Sequence, residues 1–157
     1  MLITPRIPCA QRESGFTVPE LVATMVIIGV LAAVAIPRFI TQTEFDTFGF
    51  AEQTRAALRY AQKSAIAKRR LVCVDVAANQ LSLRVASAFR AANCDHALLN
   101  PANGSAYAQS APRGVTVSAA NFTFDELGRP AAAAVISIAG GTLTHVVTVE
   151  SETGYVH

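Results

Sequence analysis

The chain has 157 residues, near the commonest size for a single domain, so the expectation is one folded body with an appendage rather than two compact domains. Hydrophobic residues make up 52% and charged residues 15%, which excludes a disordered chain and leaves more apolar surface than one ordinary core uses. The formal charge is +2, yet residues 71–157 carry four arginines against six carboxylates, which excludes the basic half expected of a nucleic-acid-binding domain.

From Leu21 to Ile36 the chain reads LVATMVIIGVLAAVAI, without a charge. Together with Phe16 to Glu20 this run makes a segment, 16–37, that spans about 30 Å as a helix, the thickness of a bilayer's hydrocarbon core. It is expected to be a transmembrane helix. Arg6 and Arg12 precede it against Glu13 alone. The positive-inside bias therefore puts the N-terminus in the cytoplasm and everything beyond Pro37 outside. Two plainer readings compete with this one. A cleaved secretory signal would end in a small-x-small site before a break in composition, whereas Ala33 to Ile36 lead through Pro37 into further helical sequence. A simple anchor leaves Glu20 unexplained, because a carboxylate at the bilayer centre costs about 2.5–3.5 kcal/mol, and less near the interface. Glu20 asks for a partner.

Residues 38–70 contain no proline and a single glycine, Gly49, and read as the amphipathic half of the same helix. Phe50, Thr54, Ala57, Leu58, Ala61 and Ala65 recur at helical spacing as one narrow stripe, and Arg55, Arg59 and Lys63 follow at four-residue intervals on another face. The stripe should lie on a sheet. Lys68-Arg69-Arg70 suits the negative end of a helix dipole, with contact to acidic lipid or DNA as the alternative. From Leu71 the period changes to two, and Leu71–Val76 with Leu81–Val85 is a hairpin signal. A loop rich in Ala, Asn, Pro and Gly is expected from Phe89 to Gly114. Short strands follow near Val115–Ser118, Asn121–Phe124, Ala133–Ile138, Thr142–Glu150 and Tyr155–His157, separated by glycine turns. The fold class is α+β: a long N-terminal helix, transmembrane in its first half, packed on a C-terminal antiparallel β-sheet domain spanning 71–157. No nucleophile elbow, phosphate loop, zinc-protease or dinucleotide motif is present. Asp125-Glu126 read as turn acids, and His145 and His157 as ordinary surface or core residues. No catalytic residue and no cofactor are expected, and the chain is read as not an enzyme.

The segment Gly15-Phe16-Thr17-Val18-Pro19-Glu20-Leu21, followed by the apolar run to Pro37, resembles the signature of the type IV pilin and pseudopilin superfamily. The resemblance implies that residues 1–15 are a leader peptide, that a prepilin peptidase cuts after Gly15, and that the new amine on Phe16 is N-methylated. The pilin-like fold, other pilin subunits as partners, a bacterial inner-membrane location and a periplasmic globular domain follow from it. A positive amine four residues before Glu20 would leave two charges among apolar helices. Stacked subunits with an axial offset can then pair Glu20 of one with Phe16 of the next, and removing either would strand a buried charge at a cost of several kcal/mol. Ala56 to Ile66, leading directly into a strand, with Phe124 to Pro130 and the closing Val147 to Val156, resembles the GspH/FimT group of minor pilins and pseudopilins. Three functions stay open: a minor pilin of a type IV, MSHA-like pilus or its tip, a type II secretion pseudopilin of the GspH type, or a DNA-uptake receptor. The acidic tail from Glu150 to His157, which lacks Lys and Arg, counts against DNA as a partner. With Cys9 in the leader, Cys73 and Cys94 remain in an exported domain, which suggests one disulfide; two free thiols are the alternative. Zinc would need more ligands than the nearby His96, so no metal is expected.

Overall fold

The computed structural model describes residues 16–77 and 79–157, with the side chains of residues 34–41 outside that description. Among the described residues the elements are one helix, α1 (Val18–Lys68), and eight strands: β1 (Val72–Ala77), β2 (Gln80–Val85), β3 (His96–Ala97), β4 (Ala108–Ser110), β5 (Val115–Val117), β6 (Ala120–Phe124), β7 (Ala134–Gly140) and β8 (Leu143–Val149). The chain divides after Pro37 into two units.

In the second unit the hairpin forms where the period of two predicts it. β1 and β2 pair from Val72↔Val85 to Ala77↔Gln80. Asn79 takes a positive φ of 61° in the connection, a conformation asparagine tolerates better than most residues. β1 carries β6 on its other side, from Val72↔Phe124 to Val76↔Ala120. The stretch 89–114, expected as loop, instead contributes two short strands to the outer edge of β2: β3 against Arg84 and Val85, and β4 against Gln80 to Ser82. Their brevity hid them, because two or three residues are too few to show an alternating pattern. The five strands form one antiparallel sheet in the order β3-β2-β1-β6, with β4 beside β3 on the edge of β2. A second antiparallel sheet has the order β5-β7-β8. The C-terminal stretch expected as a strand at 155–157 forms only a bridge, Val149↔Val156, flanked by paired main-chain bonds between Thr148 and His157.

The stripe Phe50, Thr54, Ala57, Leu58, Ala61 and Ala65 is buried throughout. It meets the inward faces of both sheets in one core: Val72, Val74 and Val76 of β1, Leu81 and Leu83 of β2, Phe124, and Ile136, Ile138, Val147 and Val149 of β7 and β8. Three alanines in the stripe keep the helix close to the strands, and Leu58 and Phe50 fill the space between. Two buried threonines within the helix spend their hydroxyls on the preceding turn: Thr47 Oγ1 donates to Thr43 O at 2.6 Å and Thr54 Oγ1 to Phe50 O at 2.8 Å. That removes the penalty of burying a hydroxyl.

The helix ends at Lys68. Arg69 follows with φ 50°, Arg69 N–H donates to Ile66 O at 3.3 Å, and Arg70 N–H reaches back to Ala65 O at 3.2 Å. Arg69 thus stands at the left-handed capping position that glycine usually fills.

Candidate functional site

The residues singled out by the sequence fall at the start of α1 and on the outer face of the larger sheet. Gly15 and the rest of the leader segment 1–15 lie outside the described residues, so cleavage there is an expectation from sequence. Phe16 is described and is 77% exposed. Thr17 precedes the helix, and its carbonyl accepts from Glu20 N–H and Leu21 N–H, both at 3.1 Å. Pro19 sits in this first turn, where its missing N–H leaves no hydrogen bond unmade. Glu20 is the acid of the first turn and faces the positive end of the helix dipole. Among the described residues no cation lies within ion-pair distance of its carboxylate.

The apolar segment that follows has no buried face of its own. Met25, Val26, Ile27 and Ile28 occupy four successive helical positions, and so look in four directions 100° apart, yet expose 65%, 61%, 58% and 65% of their surface. Leu21, Val22, Val30 and Leu31 are exposed as well. An amphipathic helix would hide one side; this segment is apolar all round. Among the described residues no helix is long and apolar enough to cross a membrane. The transmembrane segment expected at 16–37 runs into residues 34–37, whose side chains lie outside the described residues, so the span is carried by the sequence alone.

Cys73 and Cys94 are joined by a disulfide, with their Cα atoms 6.1 Å apart. The bridge ties the outward face of β1 to the stretch before β3. That stretch is also held by Asp95, whose Oδ1 accepts from Ser87 N–H at 2.7 Å. Hydrogen bonding from the Ser87 side chain, ahead of smaller contributions from the main-chain N–H groups of Asp95 and Ser87 and from His96, holds the Asp95 carboxyl below its ordinary value. Tyr60 and Tyr107 stack at 5.7 Å above the same end, and Tyr60 Oη donates to Leu99 O at 2.7 Å. Burial, then the neighbouring Tyr60, pushes the Tyr107 phenol up from its ordinary value.

No grouping of three or more His, Cys, Asp or Glu side chains able to hold a metal ion occurs among the described residues. Asp125 sits in the turn where the sequence places it. Asp125 Oδ1 accepts from Leu127 N–H at 2.9 Å and Arg129 N–H at 2.7 Å, which builds the turn. His145 lies against Phe48, ring centres 5.7 Å apart, and His157 stacks on Tyr155.

Sequence reasoning missed the seam between α1 and the smaller sheet. Arg59 donates to Val156 O at 3.0 Å, Arg55 to Val146 O at 3.5 Å, and Gln62 Nε2 to both Gly128 O at 3.2 Å and Thr153 O at 3.0 Å. The four-residue spacing of Arg55 and Arg59 was a usable signal, but their partners are carbonyls nearly a hundred residues away.

No protein-family model matches the chain. Over 71 residues it is 41% identical to the type IV narrow pilus major component PilA5 of Thermus thermophilus, a match covering 44% of this chain and 61% of the relative. The matched part is thus less than two thirds of that relative's length. The solved structure of the type IV minor pilin FimU of Pseudomonas aeruginosa has a similar fold, with TM-score 0.51 and 15% identity, over 74% of this chain and 87% of that one. So has the minor pseudopilin EpsH from the type 2 secretion system of Vibrio cholerae, with TM-score 0.52 and 10% identity, over 71% of this chain and 94% of that one. The two structures speak to the fold, and all three similar proteins are pilins or pseudopilins, structural subunits rather than enzymes.

Proposed function

We propose, from a chain whose likenesses support the type IV pilin and pseudopilin superfamily, that it is a minor pilin, cut after Gly15 by a prepilin peptidase and built with other pilin subunits into a type IV, MSHA-like pilus or its tip. The observation that carries this reading is the all-round apolar segment of α1 with one acid at its start. Burying an aliphatic side chain stabilises by about 1.5–3 kcal/mol. Eight exposed ones between Leu21 and Leu31, each with about half to two thirds of its surface open, therefore represent on the order of 10 kcal/mol that the chain leaves for its surroundings to recover. A bilayer recovers it before assembly, and the helices of neighbouring subunits recover it afterwards. The first lodges the chain in the inner membrane with its globular unit in the periplasm. The second asks for a counter-charge to Glu20, and the amine freed on Phe16 supplies one, with or without methylation, since methylation retains the charge.

Two substitutions in the native host test this. Gly15→Ala is expected to leave the chain at its uncleaved mass, and normal trimming in that variant would overturn the assigned cut. Glu20→Ala is expected to leave insertion into the inner membrane intact while lowering incorporation into filaments. Undiminished incorporation would show the charge pair to be unnecessary. Deletion of the gene separates pilus from secretion: loss of surface pili supports the pilus reading, and retained pili with a block in enzyme secretion favours the pseudopilin.

A further inference from the structure

The connection between β3 and β4 carries Asn103-Gly104-Ser105 at its tip. Main-chain bonds close it: Asn100 N–H donates to Ser105 O at 2.7 Å, Tyr107 N–H donates to Leu98 O at 2.8 Å, and Leu99 pairs with Ala106 as an antiparallel bridge. Residues 101–106 are exposed, so water reaches the tip. Asn103 differs from the chain's other asparagines, Asn79, Asn93, Asn100 and Asn121, because it alone precedes a glycine. Asn100 precedes a proline, whose nitrogen has no proton to lose. Asn79 spends its side-chain oxygen on Val117 N–H at 3.0 Å, and Asn121 is fixed within β6.

The side-chain amide of Asn103 is held as an electrophile. Its Oδ1 accepts from Ser105 N–H at 3.1 Å and from the Ser105 hydroxyl at 2.8 Å. Two donors on one amide oxygen draw electron density from Cγ and stabilise the oxyanion that forms when a nucleophile adds there. The nucleophile next along the chain is the main-chain nitrogen of Gly104, whose attack on Cγ closes a five-membered ring. Glycine has no Cβ to obstruct that closure and bends freely into it. In the folded loop Gly104 N–H donates to Asn100 O at 2.8 Å. That bond has to open first, and an exposed main-chain bond at a loop tip opens at little cost.

We propose that Asn103 is a self-modifying site, converted in the folded chain to aspartyl and isoaspartyl forms with water as the co-reactant. Base takes the proton from Gly104 N, the nitrogen bonds to Cγ of Asn103, the Cγ–Nδ2 bond breaks, and ammonia leaves with a proton returned to it. Water then opens the ring. At Cγ it leaves an aspartate on the original main chain; at the main-chain carbon it leaves an isoaspartate, with the chain running through Cγ. Either product puts a carboxylate where an amide stood, and nothing is oxidised or reduced. The isoaspartyl form also lengthens the main chain by one carbon, which separates Gly104 from Asn100. Leu98 and Tyr107 still hold the connection below the tip, so the exposed surface changes while the core does not. This rests on the loop alone and is independent of how the helix assembles.

The test incubates the full chain, folded in detergent micelles, in mildly alkaline buffer made with oxygen-labelled water, and follows its proteolytic peptides by mass spectrometry. The peptide spanning Asn103 is expected to exchange amide nitrogen for labelled oxygen and to split into two chromatographic forms. Peptides containing Asn79, Asn93 and Asn121 are expected to change about tenfold more slowly or less. Ser105→Ala keeps the main-chain donor and removes the hydroxyl; it is expected to slow the folded chain roughly fivefold or more. In urea, where the loop's hydrogen bonds are gone, wild type and Ser105→Ala are expected to react at the same rate. Gly104→Ala, at a position where an added Cβ meets nothing within 4 Å, is expected to slow the reaction about tenfold without unfolding the chain. An unmodified Asn103, or equal rates at every asparagine, would overturn the proposal. So would a folded Ser105→Ala chain that reacts as fast as wild type.

Discussion

Replacing both Cys73 and Cys94 by alanine should cost the globular unit about 3 kcal/mol. The bridge closes a loop with a sequence separation of 21 residues. By the loop-closure relation, a ring of that size removes roughly 3 kcal/mol of chain entropy from the unfolded state at room temperature. Little else changes in the folded state, because the tethered stretch has other attachments. Leu98 N–H donates to Leu83 O at 3.0 Å, Tyr107 N–H to Leu98 O at 2.8 Å, and Ala86 N–H to Leu71 O at 2.9 Å. Neither cysteine is fully buried, so the cavity contribution is small. Against a total stability of about 5–15 kcal/mol this is a large fraction. With a slope of about 1–3 kcal/mol per molar urea, the unfolding midpoint should fall by roughly 1–3 M. The chain has no tryptophan, so circular dichroism of the full chain in detergent is the suitable signal. Wild type treated with reductant should shift by a similar amount. An unmoved midpoint in both would refute the entropic account, since it would mean that the unfolded chain gains no freedom when the bridge opens.

Gly154→Ala should destabilise the same unit by at least about 2 kcal/mol in the same urea titration, because φ there is +66° and an added Cβ would lie 2.0 Å from the Gly128 carbonyl oxygen; an unshifted midpoint would mean that the turn at Gly154 moves freely away from the turn at Gly128. Acidification should release the Ser87–Asp95 contact: the Asp95 carboxyl titrates below its unfolded value, so its contribution is present above about pH 4 and is lost as the pH falls through the folded pKa. The amide proton of Ser87, followed by NMR or hydrogen exchange, should lose protection in that range, and constant protection down to pH 2 would contradict it.

What was legible in the sequence was whatever one periodicity could announce. The stripe from Phe50 to Ala65 and the alternation of Val72, Val74 and Val76 are each fixed by a single buried face, and both appear where the spacing puts them. β3 and β4 were not legible because they are held to β2 by main-chain bonds rather than by a buried face of their own, and every residue of β3 is exposed. The division into two sheets was hidden for a similar reason: inward residues of both sheets enter one core, so their patterns look alike. Arg55 and Arg59 show the same limit from the polar side. Spacing of four residues puts two guanidinium groups on one helix face, but whether that face meets water or a strand's carbonyls depends on where residues 146 and 156 come to rest.

The two halves of α1 make the contrast sharpest. Beyond residue 42 the helix hides its apolar stripe against its own chain, so the pattern reports an internal contact. From Leu21 to Leu31 the apolar side chains point every way, and those on every side are exposed. Under the proposed function, the surroundings of such a segment are apolar on all sides, with a positive group near its start to answer Glu20. A substitution that gives the segment one polar side should therefore act on its environment rather than on the fold. Val26→Lys is expected to leave the urea midpoint of the globular unit unchanged within about 0.5 kcal/mol, while reducing recovery of the chain in the membrane fraction. A lowered midpoint with undiminished membrane recovery would mean that this stretch of helix is covered by its own chain after all.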